Sequence, residues 1–369
     1  MRFLFYLGHP AHYLNISVVA DLLTEKGHDV LLIARDKDVL FHLIKDTPHP
    51  KIYLSGRRGT SKAALAWAVL KREVSLFRIA RSWKPDVMVG TDIVFTHTGK
   101  LLGVPTVMLN EDDADQVMFF TRYGLKYATD ILSPACCDNA PYNDKTVGYS
   151  GYHELAYLHP KYFTPDRTRI ASLFGDRGTY FILRFSALAA HHDHGRTGIQ
   201  DDLAMQILDL LEPHGHVYIT SERPLAPQFE PYRIQIDPRD IHHALYYAAM
   251  YIGDSQTMTA EAAVLGTPSI RFNDFVGKLS YLEELEHTYK LTIGVKTDTP
   301  QRLLETIEEV LHLSGREALW QERRAYMLQN TIDVAAFFTW YFENVPHSAQ
   351  LASQYLDQLA LQPLNAYYP

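Results

Sequence analysis

Twice along this chain, short apolar runs alternate with stretches of helical apolar spacing, and that alternation narrows the fold more than any other feature. Residues 3–7 form an apolar run suited to a buried strand. Residues 14–26 then place apolar side chains at helical intervals and stop at Gly27, a residue that ends helices well. Further strand-like runs follow at 29–34, 51–54, 86–89, 105–109 and 130–132. Runs that are apolar throughout and joined by helices predict a parallel sheet covered on both faces. A second series has strands predicted at 180–185, 216–220, 233–236, 250–253, 269–272 and 291–295. Its helices are predicted at 200–211, 241–249, 258–265 and 300–313, and an aromatic-rich helix at 334–342. Residues 149–176, rich in Tyr, His and Pro and weakly periodic, read as a connector. The expected fold class is α/β, with doubly wound domains at 1–165 and 166–333 and a C-terminal helix and tail, 334–369, crossing back to the first. A length of 369 residues agrees with two domains.

Composition removes several function classes. With 47% hydrophobic and 21% charged residues, the chain is neither disordered nor fibrous. The net charge of −8 argues against a general nucleic-acid binder. That charge is uneven: up to residue 165 there are 19 basic against 17 acidic residues, and beyond it 16 against 26. The two cysteines, Cys136 and Cys137, are adjacent, which excludes a disulfide framework and a cysteine-based zinc site and fits a reduced, cytosolic compartment. Spanning a bilayer takes about 20 apolar residues, and no run approaches that. The apolar start runs into Gly8-His9-Pro10 without a small-residue cleavage site, so it reads as a first strand and not a signal peptide.

Ligands of parallel sheets sit at the carboxyl ends of strands, so the loops after predicted strands are where chemistry is expected. The strongest signal is Gly253-Asp254-Ser255-Gln256-Thr257, a small polar turn between a strand and a helix, with Glu261 about one turn inside. Helix amides and the helix dipole there favour a phosphate, and Glu261 could accept from a ribose diol. The alternative is an ordinary capped strand–helix junction, with Ser255 or Thr257 as the cap. After the first strand, the loop Gly8-His9-Pro10-Ala11-His12 offers histidines that donate to phosphate or act as a general base, or that merely cap the next helix. Asp92 and Glu111-Asp112-Asp113 follow two further strands. Carboxylates there can remove a proton, whereas the alternative makes Asp92 and Asp112 or Asp113 helix caps. His191-His192-Asp193-His194 follows the strand that carries Arg184. Its spacing is not that of a helical metal pair, so phosphate or sugar contacts are favoured over a metal.

Gly253-Asp254-Ser255 with Glu261, Gly266-Thr267-Pro268 and Arg271 resembles the nucleotide-diphosphate signature of GT-B glycosyltransferases, on the branch of the non-hydrolysing UDP-N-acetylglucosamine 2-epimerases. The fuller string through Ile270-Arg271-Phe272-Asn273 resembles the domain-of-unknown-function 354 family. So do Gly8-His9-Pro10-Ala11-His12, Ala34-Arg35-Asp36-Lys37, Ile182-Leu183-Arg184-Phe185, Ile219-Thr220-Ser221-Glu222 and the stretch 151–160. The resemblance implies a GT-B-like fold of two Rossmann-like domains facing a central cleft. It also implies a donor diphosphate on the amides of Ser255, Gln256 and Thr257, ribose on Glu261, and residues 238–242 near the base. His191 or His192 would face the donor phosphates, with Arg196 adding charge. The turn departs from the epimerases, which carry Ser-Gly-Gly where this chain has the bulkier Ser255-Gln256-Thr257.

The function expected from these residues is a UDP-sugar-dependent glycosyltransferase of envelope polysaccharide or glycolipid assembly. Its catalytic candidates are His12, Asp92, Glu111 and His191. Its donor-binding candidates are Gly8, His9, Arg184, His192, Ser255, Gln256, Thr257, Glu261 and Arg271, with no metal and no permanently bound cofactor. The alternatives are a 2-epimerase-like enzyme working through Asp92, Glu111 and His191, and a non-catalytic nucleotide-sugar-binding protein. Partners expected are a nucleotide sugar and a glycan or lipid-linked acceptor. Residues 56–84 carry Arg57, Arg58, Lys62, Lys71, Arg72, Arg78, Arg81 and Lys84 against one acid, Glu73, with apolar residues between. Such a basic amphipathic segment suits peripheral contact with the inner membrane face, or is an ordinary solvated helix.

Overall fold

A computed structural model describes residues 1–35, 38–54, 62–175, 178–186 and 198–360. The chain forms two compact units, Met1–Tyr162 with Asn330–Pro369, and Phe163–Gln329.

In the first unit the apolar runs become β1 (Arg2–Leu7), β2 (Asp29–Arg35), β3 (Lys51–Leu54), β4 (Val87–Gly90), β5 (Thr106–Leu109), β6 (Asp130–Pro134) and β7 (Thr146–Tyr149). They form a seven-stranded sheet in the order β3-β2-β1-β4-β5-β6-β7, every neighbouring pair parallel. The central strands are buried on both faces, as their uninterrupted apolar sequence requires. On one face Leu76, Ala80, Val94 and Phe95 pack against Leu4, Tyr6, Ile33 and Met88. On the helix Pro10–Glu25 packs the aromatic helix Val334–Glu343. Their connection is fixed by Glu343, which takes Lys26 Nζ at 2.6 Å and His28 Nε2 at 2.9 Å.

The second unit holds β8 (Tyr180–Phe185), β9 (His216–Ser221), β10 (Met250–Gly253), β11 (Ser269–Phe272) and β12 (Thr292–Val295). Their order is β12-β11-β10-β8-β9, again parallel throughout. Both sheets reverse their direction of growth once, between β1 and β4 and between β8 and β10. The loops leaving such a pair diverge and open a crevice at the strands' carboxyl ends.

Several elements differ from the sequence expectation. Residues 233–236 form no strand; Arg233 makes an isolated bridge to Ile219, with Ile234 N donating to Ile219 O at 3.0 Å. The 3-10 turn Pro227–Tyr232 contains Pro231, which cannot donate to a ladder, and Pro238 follows shortly. The expected connector begins inside β7, a half-exposed edge strand, and contains the short helices Leu155–Leu158 and Ala171–Phe174. The helices Ser280–His287, Arg316–Gln329 and Ser348–Ala360 were not among the expected elements. Among the described residues, no helix is long and apolar enough to cross a membrane.

Candidate functional site

In the second unit the turn after β10 leads into the helix Gln256–Leu265. Ser255 is its N-cap, accepting from Met258 N at 3.4 Å, so the capping alternative is realised by Ser255 and not Thr257. The amides of Gln256 and Thr257 open the helix and have no intrahelical acceptor, which leaves them for an anion. Ser255, Gln256 and Thr257 are half-buried. Gly253 is required here: a Cβ would lie 2.5 Å from the Tyr251 hydroxyl and 2.8 Å from Arg184 Cβ. Asp254 reaches across to the end of β8, where its Oδ1 accepts from Ser186 N at 2.6 Å. Burial pushes the Asp254 carboxyl up, against the hydrogen bonds from Ser186 and the attraction of Arg223.

Glu261 lies one turn inside that helix and is 3% exposed. Its Oε1 is 2.9 Å from Nε2 of His242, itself buried, with Phe163 set edge-on to the imidazole. His242 belongs to the helix Ile241–Tyr247, so the pair locks two helices together beneath the turn. Arg184, at the end of β8, pairs with Glu222 on the loop after β9. Arg271, the other donor-binding candidate of this unit, lies on β11. It is wholly buried and donates to Glu283 and, at 3.1 Å, to Glu286. Glu283, Glu286 and His287 gather ligand atoms within 4.8 Å of one another, and Arg271 already pairs with both carboxylates. His191 and His192 lie outside the described residues.

In the first unit the crevice between β1 and β4 collects residues from three strand ends. His9 caps the helix Pro10–Glu25, accepting from Ala11 N at 3.3 Å. His12 Nδ1 accepts from Gly8 N at 3.2 Å, which puts the proton of a neutral His12 on Nε2. A neutral His12 in that tautomer is a donor at Nε2. Asp92 caps the helix Ile93–Leu102 through Oδ1, 3.2 Å from Val94 N. Its Oδ2 lies 4.0 Å from Arg35 Nη1. A Cβ on Gly8 would approach that oxygen to 3.2 Å and His12 Cε1 to 3.6 Å, so Gly8, His12, Arg35 and Asp92 form one cluster. Asp92 is thus both the cap and an accessible carboxylate, its side chain 17% exposed.

A second acid–base group stands beyond β5. Glu111 Oε2 is 3.1 Å from Nδ1 of His153, which is buried between Tyr149 and Phe338. Cys137 Sγ donates to Glu111 O at 3.0 Å. Burial, with the charges of Glu111 and Asp113, pushes the Asp112 carboxyl up to about 7. Neither Asp112 nor Asp113 caps a helix: Asp113 Oδ1 accepts from Asp138 N at 2.8 Å, and the next helix starts at Met118 without a side-chain cap. His153 and Arg35 were not singled out as site residues by the sequence, and His242 entered only as the last residue of 238–242, expected near the base. Each acquires its partner only across the fold, and the motif strings that contain Arg35 and His153 are the trace they leave.

No family model and no curated protein matches the chain, so the domain-of-unknown-function 354 resemblance finds no support there. Solved structures do match. The UDP-GlcNAc 2-epimerase from Neisseria meningitidis, bound to UDP-GlcNAc, aligns with a TM-score of 0.63 over 97% of this chain and 100% of its own, at 12% identity. The UDP-GlcNAc 2-epimerase from Methanocaldococcus jannaschii aligns at 0.61 over 89% and 100%, with 14% identity. The calicheamicin glycosyltransferase CalG4 aligns at 0.54 over 97% and 99%, with 13% identity. At such identities the likeness is one of fold: the chain has the α/β architecture of GT-B glycosyltransferases and UDP-GlcNAc 2-epimerases.

Proposed function

We propose that this protein is a nucleotide-sugar-dependent glycosyltransferase. The observation that carries the reading is the turn after β10. There a half-buried, Ser255-capped helix N-terminus follows a glycine with no room for a side chain, and a buried His242–Glu261 pair supports it from below. Such a terminus binds and stabilises the diphosphate that leaves when the bond from the sugar's anomeric carbon to phosphate breaks. The new bond forms from an acceptor hydroxyl, whose proton passes to Asp92 Oδ2 in the first unit, while His12 Nε2–H orients an acceptor oxygen. A UDP-sugar is the proposed donor, in keeping with the ligand of the Neisseria epimerase structure. Glu261, paired with His242, is the proposed ribose contact.

A second reading, 2-epimerisation, is favoured by Glu111, Asp112 and His153, which offer an acid and a base side by side. Incubation with UDP-N-acetylglucosamine alone separates the two: an epimer formed without acceptor overturns the transferase. If Ser255→Ala and Glu261→Gln leave nucleotide-sugar affinity unchanged, the donor site is elsewhere. If the wild-type protein binds the nucleotide sugar but turns over neither way, it is a binding protein.

The acceptor is proposed to be a glycan or lipid-linked one met at the inner membrane face. The helix Lys62–Trp83 exposes one stripe, Trp67, Leu70, Lys71, Val74, Arg78 and Arg81. The helix Met118–Tyr123 adds exposed Met118, Phe119 and Arg122 beside it. His97 ties the two, with Nδ1 2.7 Å from Glu73 Oε1 and Nε2 2.8 Å from Tyr123 O. Apolar side chains ringed by cations complement an anionic bilayer surface. The rest of the basic segment, 56–61, lies outside the described residues. Co-sedimentation with phosphatidylglycerol vesicles, lost in a Trp67→Ser/Phe119→Ser variant, is the expected result, and equal binding to neutral phosphatidylcholine vesicles refutes it.

A further inference from the structure

His242 supports Glu261 only as firmly as its own helix is held. Ile241–Tyr247 has seven residues, too few to persist as a helix without tertiary contacts. Its C-terminal end is tied down: the Tyr180 hydroxyl donates to Ala244 O at 2.7 Å, and Thr267 Oγ1 donates to Leu245 O at 2.8 Å. Its N-terminal end, where His242 sits, packs on residues 163–170, the segment that opens the second unit.

Consecutive helix residues point about 100° apart, so neighbouring side chains serve different surroundings. His242 turns to the helix Gln256–Leu265, and His243 turns to residues 163–170. Nδ1 of His243 accepts from Asp166 N at 3.0 Å. The Phe163 ring lies 4.8 Å from the His243 ring and 6.2 Å from that of His242. Beside them Arg169 Nε donates to Asp240 Oδ1 at 2.7 Å, and the Tyr247 hydroxyl donates to Pro165 O at 3.3 Å. His243 is buried, and an imidazole accepts at Nδ1 only when neutral, with its proton on Nε2. Burial first, then the Arg169 cation, and least His242, favour that neutral form; Asp240 and Asp166 oppose them. The balance holds His243 below the usual histidine value of 6.5.

We propose that His243 is a positioning residue for the donor site: by accepting from Asp166 N it fastens residues 163–170 to the helix Ile241–Tyr247, and so holds His242 on Glu261 under the turn after β10. The proposal rests on reading that turn as the nucleotide site. It gives the site a dependence on pH. The brace is complete above 6.5, where His243 is neutral in any state of the chain. As pH falls through the lowered pKa, the protonated Nδ1–H meets the Asp166 N–H, two donors face each other, and the brace opens.

The test is calorimetric titration of the full-length protein with UDP between about pH 5 and 8, the range in which histidine changes charge. It is paired with hydrogen-exchange protection of the Gln256–Leu265 amides in the ligand-free protein. His243→Phe keeps a ring on Phe163 and removes the acceptor. His243→Asn puts a carbonyl oxygen close to the place of Nδ1 and does not titrate. His243→Phe is expected to weaken UDP binding about fivefold or more at every pH, and to lower the protection with it. His243→Asn should recover most of both at the alkaline end. It should also lack the additional loss that the wild type shows on acidification. The UDP phosphate and His242 titrate in both proteins, so the difference between the two profiles is the reading. The proposal is overturned if His243→Phe keeps wild-type affinity and protection, or if the wild-type and His243→Asn profiles run parallel. If His243→Phe does not fold, the second criterion decides alone. A wild-type protein that binds no UDP removes the nucleotide reading of the turn. The brace is then judged by exchange: protection lost on acidification in the wild type but not in His243→Asn upholds it, and equal behaviour refutes it.

Discussion

Deleting the His242 imidazole probes how the turn after β10 is held. In His242→Ala the Glu261 carboxylate loses the ring nitrogen 2.9 Å away, at a place where the two side chains are only 6% and 4% exposed. Water cannot replace the ring without opening the packing around Phe163 and the two helices. Removing a hydrogen-bond partner from a buried polar group costs about 1–3 kcal/mol, and more when that group is charged. Glu261→Gln keeps a side-chain carbonyl within reach of the same nitrogen, so about 1–2 kcal/mol is expected, the loss of charge assistance alone. Replacing both partners with apolar residues should cost less than the sum of the single changes. Because a single unfolding free energy is not well defined for a chain of two units, the local measure is hydrogen exchange of the amides in Gln256–Leu265, together with urea unfolding. UDP affinity should fall with the exchange protection, at least tenfold for His242→Ala. A His242→Ala protein within about 0.5 kcal/mol of wild type, the usual range for an inconsequential surface change, and with unchanged UDP affinity, would refute the idea that this pair supports the phosphate turn.

Three further predictions follow from the same geometry. Gly253→Ala forces a Cβ against the Tyr251 hydroxyl and Arg184 Cβ, so a loss of about 1–3 kcal/mol and of UDP binding is expected. Adding Tyr251→Phe, which removes the nearer atom, should recover part of both in thermal melts and titrations. Asp112 is raised to about 7 in the folded chain from 3.8, so folding takes up a proton between those values. Its contribution to stability is present below the lower pKa and lost as pH rises through about 7. Asp112→Asn should flatten the dependence over that window, and an unchanged slope in urea midpoints refutes it. Asp92→Asn should abolish transfer to acceptor while leaving nucleotide-sugar affinity within twofold or so, the pattern of a group used only in the chemical step.

The strands, the parallel sheets and the capped turn after β10 were legible because their signals are local. Apolar runs such as 3–7 and 250–253 sit on both-faces-covered strands. A serine two residues past a strand glycine caps a helix within its own turn. Elements without such a signal were missed. β7 is a half-exposed edge strand with no apolar run, and Ser280–His287 spends its polar residues on the buried Arg271, so its helical face is masked by charge. Tertiary structure alone decided the partnerships. Arg35 meets Asp92 because β2, β1 and β4 are neighbours in that order, and no periodicity encodes a strand order. His153 meets Glu111 because β5, β6 and β7 bring their ends together, and His242 meets Glu261 because two helices pack. Arg72 read as one more cation of a basic face, and only the packing of its helix buried it, with Nε and Nη1 lacking a hydrogen-bond partner among the described residues. Caps and periodicities act over a few residues and are written in the chain, whereas pairing and burial depend on which distant segments the sheets set side by side.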